Sequence, residues 1–173
     1  MSDWVALLRG VNVGGITIRS ADLVDVFRGL GLTNVRTVLA SGNVLFDSAN
    51  PETELKARIE SALEERFGYD AWILLRTPAE IGRVIDEFPF EITPDRQPYA
   101  IFCLDGATRE ELLADAASLD ATTDPVAGGS GLIYWSPAAG SSTDTTFARA
   151  IARKSYRART TNRNLRTLQK IIA

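Results

Sequence analysis

Histidine is absent from this chain of 173 residues, and cysteine and methionine occur once each. Without histidine, Ser-His-Asp and Cys-His nucleophile systems, His-ligated zinc and histidine general bases are excluded from the chain itself. Any catalysis would have to use carboxylates, lysine, tyrosine or the backbone, and no metal or cofactor is expected. One cysteine cannot close an internal disulfide, which agrees with a reducing compartment. That residue, Cys103, sits in the apolar run Tyr99-Ala100-Ile101-Phe102-Cys103-Leu104 and reads as a small core side chain rather than a reactive thiol. No apolar stretch approaches the roughly 20 residues of a membrane-spanning helix, and the start Met1-Ser2-Asp3-Trp4 lacks the basic and apolar segments of a signal peptide. The expected location is the cytoplasm, with no membrane partner; the oligomeric state is left open.

What the chain does have is enough apolar content, 45% of residues, to bury one substantial core or two small ones. Trp4 to Arg9 reads as a strand. Ser20 offers an N-cap to a helix with Leu23, Val24, Phe27 and Leu30 on one face, stopped by Gly31. Asn34 to Ala40 and Val44 to Asp47 form short strands joined tightly through Ser41-Gly42-Asn43. A helix follows Pro51, with Leu55, Ile59, Leu63 and Phe67 at helical spacing, and ends at Gly68; Ala71 to Arg76 is the next strand. This β-α-β-β-α-β order over residues 1–77 is the split arrangement of ferredoxin-like folds.

Residues 78–173 read as a second α+β subdomain. Thr77, Pro78 and Glu80 make a capping box for a helix that Pro89 ends. Then come a strand at Tyr99 to Leu104, a helix at Arg109 to Leu119, and a hairpin of Pro125 to Ala127 with Leu132 to Trp135 turned by Gly128-Gly129-Ser130-Gly131. Two closing helices are expected, about Thr145 to Tyr156 and Asn162 to Ile172. The second half thus runs α-β-α-β-β-α-α.

Chemistry concentrates where the first apolar run empties into Arg9-Gly10-Val11-Asn12-Val13-Gly14-Gly15. Glycines permit positive φ and close approach to backbone amides, while Arg9 and Asn12 supply charge and directed hydrogen bonds. In the split arrangement this loop lies at the same sheet end as Ser41-Gly42-Asn43. Arg9, Asn12, the amides of Gly14 and Gly15, Ser41 and Asn43 therefore form one candidate polar site, although the same residue types serve as ordinary turn formers. Neither standard phosphate fingerprint fits: Asn12 stands where the dinucleotide motif needs its second glycine, and no Gly-Lys-Ser/Thr follows. A looser anion nest of consecutive amides remains compatible.

Four spaced segments then carry a resemblance. Ala6 to Gly15, Asn34-Val35-Arg36-Thr37, Ser41-Gly42-Asn43-Val44 and Thr161-Asn162-Arg163-Asn164-Leu165-Arg166-Thr167 together resemble a bacterial family known as domain of unknown function 1697. The resemblance spans the chain and implies a cytosolic α+β protein of two small subdomains with ferredoxin-like character. It assigns no activity. One departure is Leu165, where relatives tend to carry Trp.

Charge is uneven. The whole chain carries −3, but residues 143–173 hold eight basic residues against Asp144 alone, a local +7 on a body of −10. Arg149, Arg153 and Arg157 recur at four-residue spacing and would stripe one helix; Arg163, Arg166 and Lys170 would share a face opposite Leu165, Leu168 and Ile172 on the next. Such faces are commonly just solvated. Thr160-Thr161-Asn162-Arg163-Asn164 would place Thr161, Arg163 and Asn164 at a helix start, where free amides and the dipole favour an anion. The expected function is binding of a phosphate-bearing ligand in a cleft between the Gly/Asn loop and this basic segment. Nucleic acid is the favoured form, with Tyr134, Trp135 and Tyr156 as base-stacking candidates if exposed. The alternatives are an enzyme for a small anionic substrate in the same cleft, with no base assigned although Asp22 and Asp47 lie near, and a protein interaction module.

Overall fold

The computed structural model describes residues 2–9, 16–39 and 42–173. It divides into two compact units, Met1–Gly82 with Lys170–Ala173, and Arg83–Gln169. The first unit runs β1 (Ser2–Leu8), α1 (Ser20–Gly29), β2 (Thr33–Thr37), β3 (Asn43–Ser48), α2 (Glu52–Phe67) and β4 (Ile73–Arg76), followed by the start of α3 (Pro78–Asp86). Its four strands form one antiparallel sheet in the order β2-β3-β1-β4. This is the ferredoxin-like arrangement that the order of elements predicts.

Period-two alternation puts Ala6, Leu8, Val44, Phe46, Ile73 and Leu75 on the sheet face under the two helices, against Leu23 and Phe27 of α1 and Leu55, Ile59 and Leu63 of α2. Phe27 meets Phe46 edge to face at 5.4 Å. Each such side chain contributes on the order of 1.5–3 kcal/mol by leaving water. The opposite face, with Val5, Leu7, Leu45 and Leu74, is buried as well. α2 stops because Gly68 takes the left-handed conformation at φ 69° and returns its amide to Glu64. Ser20 proves to be the first helical residue rather than the cap: Arg19 occupies the cap position and makes no side-chain cap bond.

The capping box stands as read. Thr77 Oγ1 accepts from the Glu80 amide at 3.2 Å, and the Glu80 carboxylate accepts from the Thr77 amide at 2.7 Å.

The second unit contains β5 (Tyr99–Cys103), α4 (Gly106–Ala116), β6 (Val126–Gly129), β7 (Leu132–Trp135), α5 (Thr146–Ile151), α6 (Lys154–Arg157), β8 (Thr160–Asn164) and most of α7 (Leu165–Ile172). Two expectations fail here. The segment Thr160–Asn164, read as a helix start, is a strand paired along β5 from Cys103↔Thr160 to Tyr99↔Asn164. The helix expected from Thr145 to Tyr156 is two short helices, because Arg153 adopts extended backbone at φ −59°, ψ 143° and starts a new cap. With β8 included, this unit also runs β-α-β-β-α-β, and its sheet order β6-β7-β5-β8 matches that of the first. Its core joins Ile101, Cys103, Ile133 and Trp135 to Leu112, Phe147, Ile151 and Tyr156.

The pairings of the two central strands correspond residue by residue, while β2–β3 carries a register shift between Thr33 and Arg36 that β6–β7 lacks. Val5 pairs with Leu45 and Arg76 in the first, as Ala100 pairs with Tyr134 and Arg163 in the second. The Leu8 amide donates to Gly42 as the Cys103 amide donates to Gly131, and Arg9 donates to the Trp72 carbonyl as Leu104 donates to that of Arg159. Central strands match; loops do not. At the sheet end where β1 finishes, the first unit joins Leu8 to Ser20, Thr37 to Asn43 and Phe67 to Ile73. The corresponding joins in the second are Cys103 to Gly106, Gly129 to Leu132 and Arg157 to Thr160. All three connections at that end are longer in the first unit.

Candidate functional site

Arg9 lies at the sheet end where the connections of the first unit are longer. It follows the central strand β1, so the backbone that fixes it is held on both sides: the Leu8 amide donates to Gly42 at 2.9 Å and the Arg9 amide to Trp72 at 3.3 Å. The guanidinium reaches the segment before β4, where Nη2 donates to the Asp70 carbonyl at 3.3 Å and Cζ lies 5.6 Å from the Trp72 ring centroid. Lys56 Nζ from α2 lies 5.9 Å from the same ring. It donates to the Ile73 carbonyl at 2.6 Å and pairs with Glu60 at 2.9 Å. Two cations thus share one aromatic ring, an attraction worth roughly 0.5–2 kcal/mol each.

Lys56 has a carboxylate; among the described residues half-buried Arg9 has none. Its Nε and the Tyr69 Oη are buried and lack a hydrogen-bond partner among those residues. Burial pushes the Tyr69 phenol up from its ordinary value, and the charge of Arg9 opposes that shift. The phenol therefore stays protonated, as a donor, at neutral pH.

Of the residues singled out in the sequence, Asn12, Gly14, Gly15 and Ser41 lie outside the described residues. Asn43 is 4% exposed at the first position of β3, and its Nδ2 donates to the Val38 carbonyl at 3.0 Å. That bond closes the β2–β3 connection. Thr161, Arg163 and Asn164 belong to the second unit. There, Arg163 Nη1 donates to Thr161 Oγ1 and to the Asn162 carbonyl, each at 2.8 Å, and burial lowers the guanidinium to about 10. Asn164 Oδ1 accepts from the Arg166 amide at 2.9 Å, so it is the residue that caps α7.

The base-stacking candidates are core residues. Tyr134 and Trp135 are 2% and 1% exposed. The Tyr134 hydroxyl donates to the Val84 carbonyl, Trp135 Nε1 to Asp124, and the Tyr156 hydroxyl to Asp115. Cys103 is buried, and desolvation raises its thiol to about 11, which makes it inert. Asp22 pairs with Arg19 and Asp47 accepts from Asn34, so neither forms a carboxylate pair for acid-base chemistry. No cluster of three or more His, Cys, Asp or Glu able to hold a metal occurs among the described residues. No helix is long and apolar enough to cross a membrane among them.

Tyr69, Trp72 and Lys56 were not singled out from sequence. Their link to Arg9 depends on pairing between strands far apart in the chain, and the one local signal is Trp72 at the mouth of an otherwise aliphatic strand.

Fold and site define an α+β protein of two ferredoxin-like units in tandem, the first with longer connections at the sheet end where the half-buried Arg9 lies. The chain belongs to the family described as protein of unknown function, DUF1697, whose model matches residues 1–134. A solved structure with the same fold is the conserved bacterial protein SP0830 from Streptococcus pneumoniae: TM-score 0.80 and 23% identity, over 99% of this chain and 96% of that one. No curated protein matches the chain.

Proposed function

We propose that the first unit binds a small phosphate-bearing ligand at the sheet end where β1 finishes, with Arg9 as the anchoring cation. The observation that carries this reading is the half-buried guanidinium with an undonated Nε and no ion pair among the described residues. A buried N–H of a charged group is costly without an acceptor, and a ligand oxyanion would supply one. The longer loops give the reading independent support. The second unit builds the same sheet with minimal connections, so the framework does not require residues 9–19, and extra loop length on a rigid scaffold is where binding groups usually sit. Asn12, the amides of Gly14 and Gly15, and Ser41 belong to those connections and would add neutral donors to the ligand.

Calorimetric titration with inorganic phosphate and with a nucleoside monophosphate tests the proposal. Binding by the native protein that Arg9→Gln abolishes while leaving the thermal melt in place is the expected result. Equal binding by both proteins would remove Arg9 from the site.

A second reading has its own observation. Arg149, Arg153, Arg157 and Arg166 are exposed, and none forms an ion pair among the described residues. Nucleic acid could be held there through its backbone alone. With the aromatic candidates buried and the stripe divided between α5 and α6, stacking and a continuous helical surface are lost, which is why the small ligand is preferred. Alanine at Arg153 and Arg157 should then flatten the salt dependence of oligonucleotide binding by about one unit of slope for each phosphate no longer neutralised; an unchanged slope would retire this reading.

A further inference from the structure

Two undonated groups lie at this sheet end, and the charge of Arg9 acts on the Tyr69 phenol, which links the two. Arg9 Nη2 bonds the carbonyl of Asp70, the residue that follows Tyr69, and the Arg9 amide bonds the carbonyl of Trp72. Arg9 is therefore tied to the segment 70–72 that follows Tyr69, and its Nε and the Tyr69 hydroxyl are both withdrawn from water and both without an acceptor among the described residues.

Resting on the reading of this site as a phosphate-binding one, we propose that Arg9 Nε–H and Tyr69 Oη–H are paired donors to one oxyanion group of the ligand, and that Tyr69 is a ligand-binding residue. A buried hydroxyl with no acceptor destabilises a fold, and phenylalanine would fill the same space without that penalty. Tyrosine at this position is thus unfavourable for packing alone and favourable once an acceptor arrives. An anionic acceptor suits the pair, because one donor is a charged guanidinium that forms no ion pair among the described residues. The chemistry is a charge-assisted bond from Arg9 beside a neutral bond from the phenol, which burial keeps protonated. A phosphate group has enough oxygens to take both donors and still keep others free for water. A carboxylate would have both of its oxygens occupied by the pair.

Tyr69→Phe separates this role from a structural one, because the two readings move stability in opposite directions. Without phosphate, the variant should melt at or above the temperature of the native protein, since an unsatisfied hydroxyl has been removed. With inorganic phosphate as the probe, it should bind about tenfold more weakly, the loss of one hydrogen bond to a charged group. Acetate, titrated in parallel, separates a phosphate source of the oxyanion from a carboxylate source.

A lower melting temperature for Tyr69→Phe would show that the hydroxyl already has a structural partner and would overturn the inference. So would unaltered phosphate affinity. If Arg9→Gln abolishes phosphate binding while Tyr69→Phe preserves it, the proposed function stands and the role of Tyr69 falls. If the native protein binds acetate and not phosphate, with both variants impaired, the paired donors stand and the phosphate assignment falls. Binding of neither anion would remove both.

Discussion

Asp124→Ala should be among the most destabilising single substitutions in the second unit. The side chain is 3% exposed and its two oxygens do different work: Oδ1 accepts from Trp135 Nε1 at 3.0 Å and Oδ2 from the Phe147 amide at 3.2 Å. The first bond holds the largest ring of the core. The second satisfies one of the free amides at the start of α5, beside the Thr145 Oγ1 bond to Ala148 at 3.0 Å. Alanine would leave two buried donors without acceptors, at about 1–3 kcal/mol each, so a loss near 4 kcal/mol is expected. Asparagine keeps one carbonyl but turns an amide toward the other donor, and should lose roughly half as much. Thr145→Ala, which removes a single cap bond, should lose about 1 kcal/mol.

For a chain of this size the alanine variant corresponds to a drop in Tm on the order of 10 °C. Urea denaturation followed by tryptophan fluorescence and far-ultraviolet circular dichroism would give the values. Losses under 1 kcal/mol for Asp124→Ala, or equal losses for the Ala and Asn variants, would refute the argument that each oxygen satisfies its own buried donor.

Gly128→Ala and Gly129→Ala should differ although they are adjacent. A Cβ at 128 would lie 2.6 Å from the far end of the long Arg109 side chain, which can shift at the cost of its bond to Gly129, whereas one at 129 would lie 2.7 Å from the packed Tyr134 ring; the expected losses are about 1 and about 2–3 kcal/mol respectively, read by denaturant titration. Alkaline pH should weaken the fold in a window that can be assigned. Burial, and then the bond to Asp115, holds the Tyr156 phenol at about 12 against an ordinary 10.0. The native state therefore favours the protonated form. Its contribution is complete below pH 10 and is lost as the pH rises through about 12, and melts across that range should be flatter for Tyr156→Phe. Cys103 should react with iodoacetamide only as fast as the second unit opens, so labelling as rapid as that of a free thiol in native buffer would contradict its burial.

The first unit was legible in the sequence because its signals are local and agree with one another: short continuous apolar runs in β1 and β3, helical spacing from Leu55 to Leu63, Gly68 as a stop and the Thr77–Glu80 box. β8 was not, since Thr160-Thr161-Asn162-Arg163-Asn164 has the composition of a cap and becomes a strand only by pairing with β5, nearly sixty residues earlier. The break at Arg153 left no proline or glycine to mark it. The same limit applies to the site. Arg9 and the glycines that follow it declare a loop, but Tyr69, Trp72 and Lys56 reach Arg9 through the β1–β4 pairing and the packing of α2. Buried donors without acceptors have no signature in a sequence at all.

The matched registers of the two central strands give the molecule an internal reference. The amides of Leu8 and Cys103 occupy equivalent places in their ladders, one beside the proposed site and the other beside the short connections of the second unit. Hydrogen exchange at such a pair, compared with and without a ligand, cancels whatever acts on both units alike, such as ionic strength or temperature. A protection that grows at Leu8 and stays constant at Cys103 would locate the ligand by difference within a single chain.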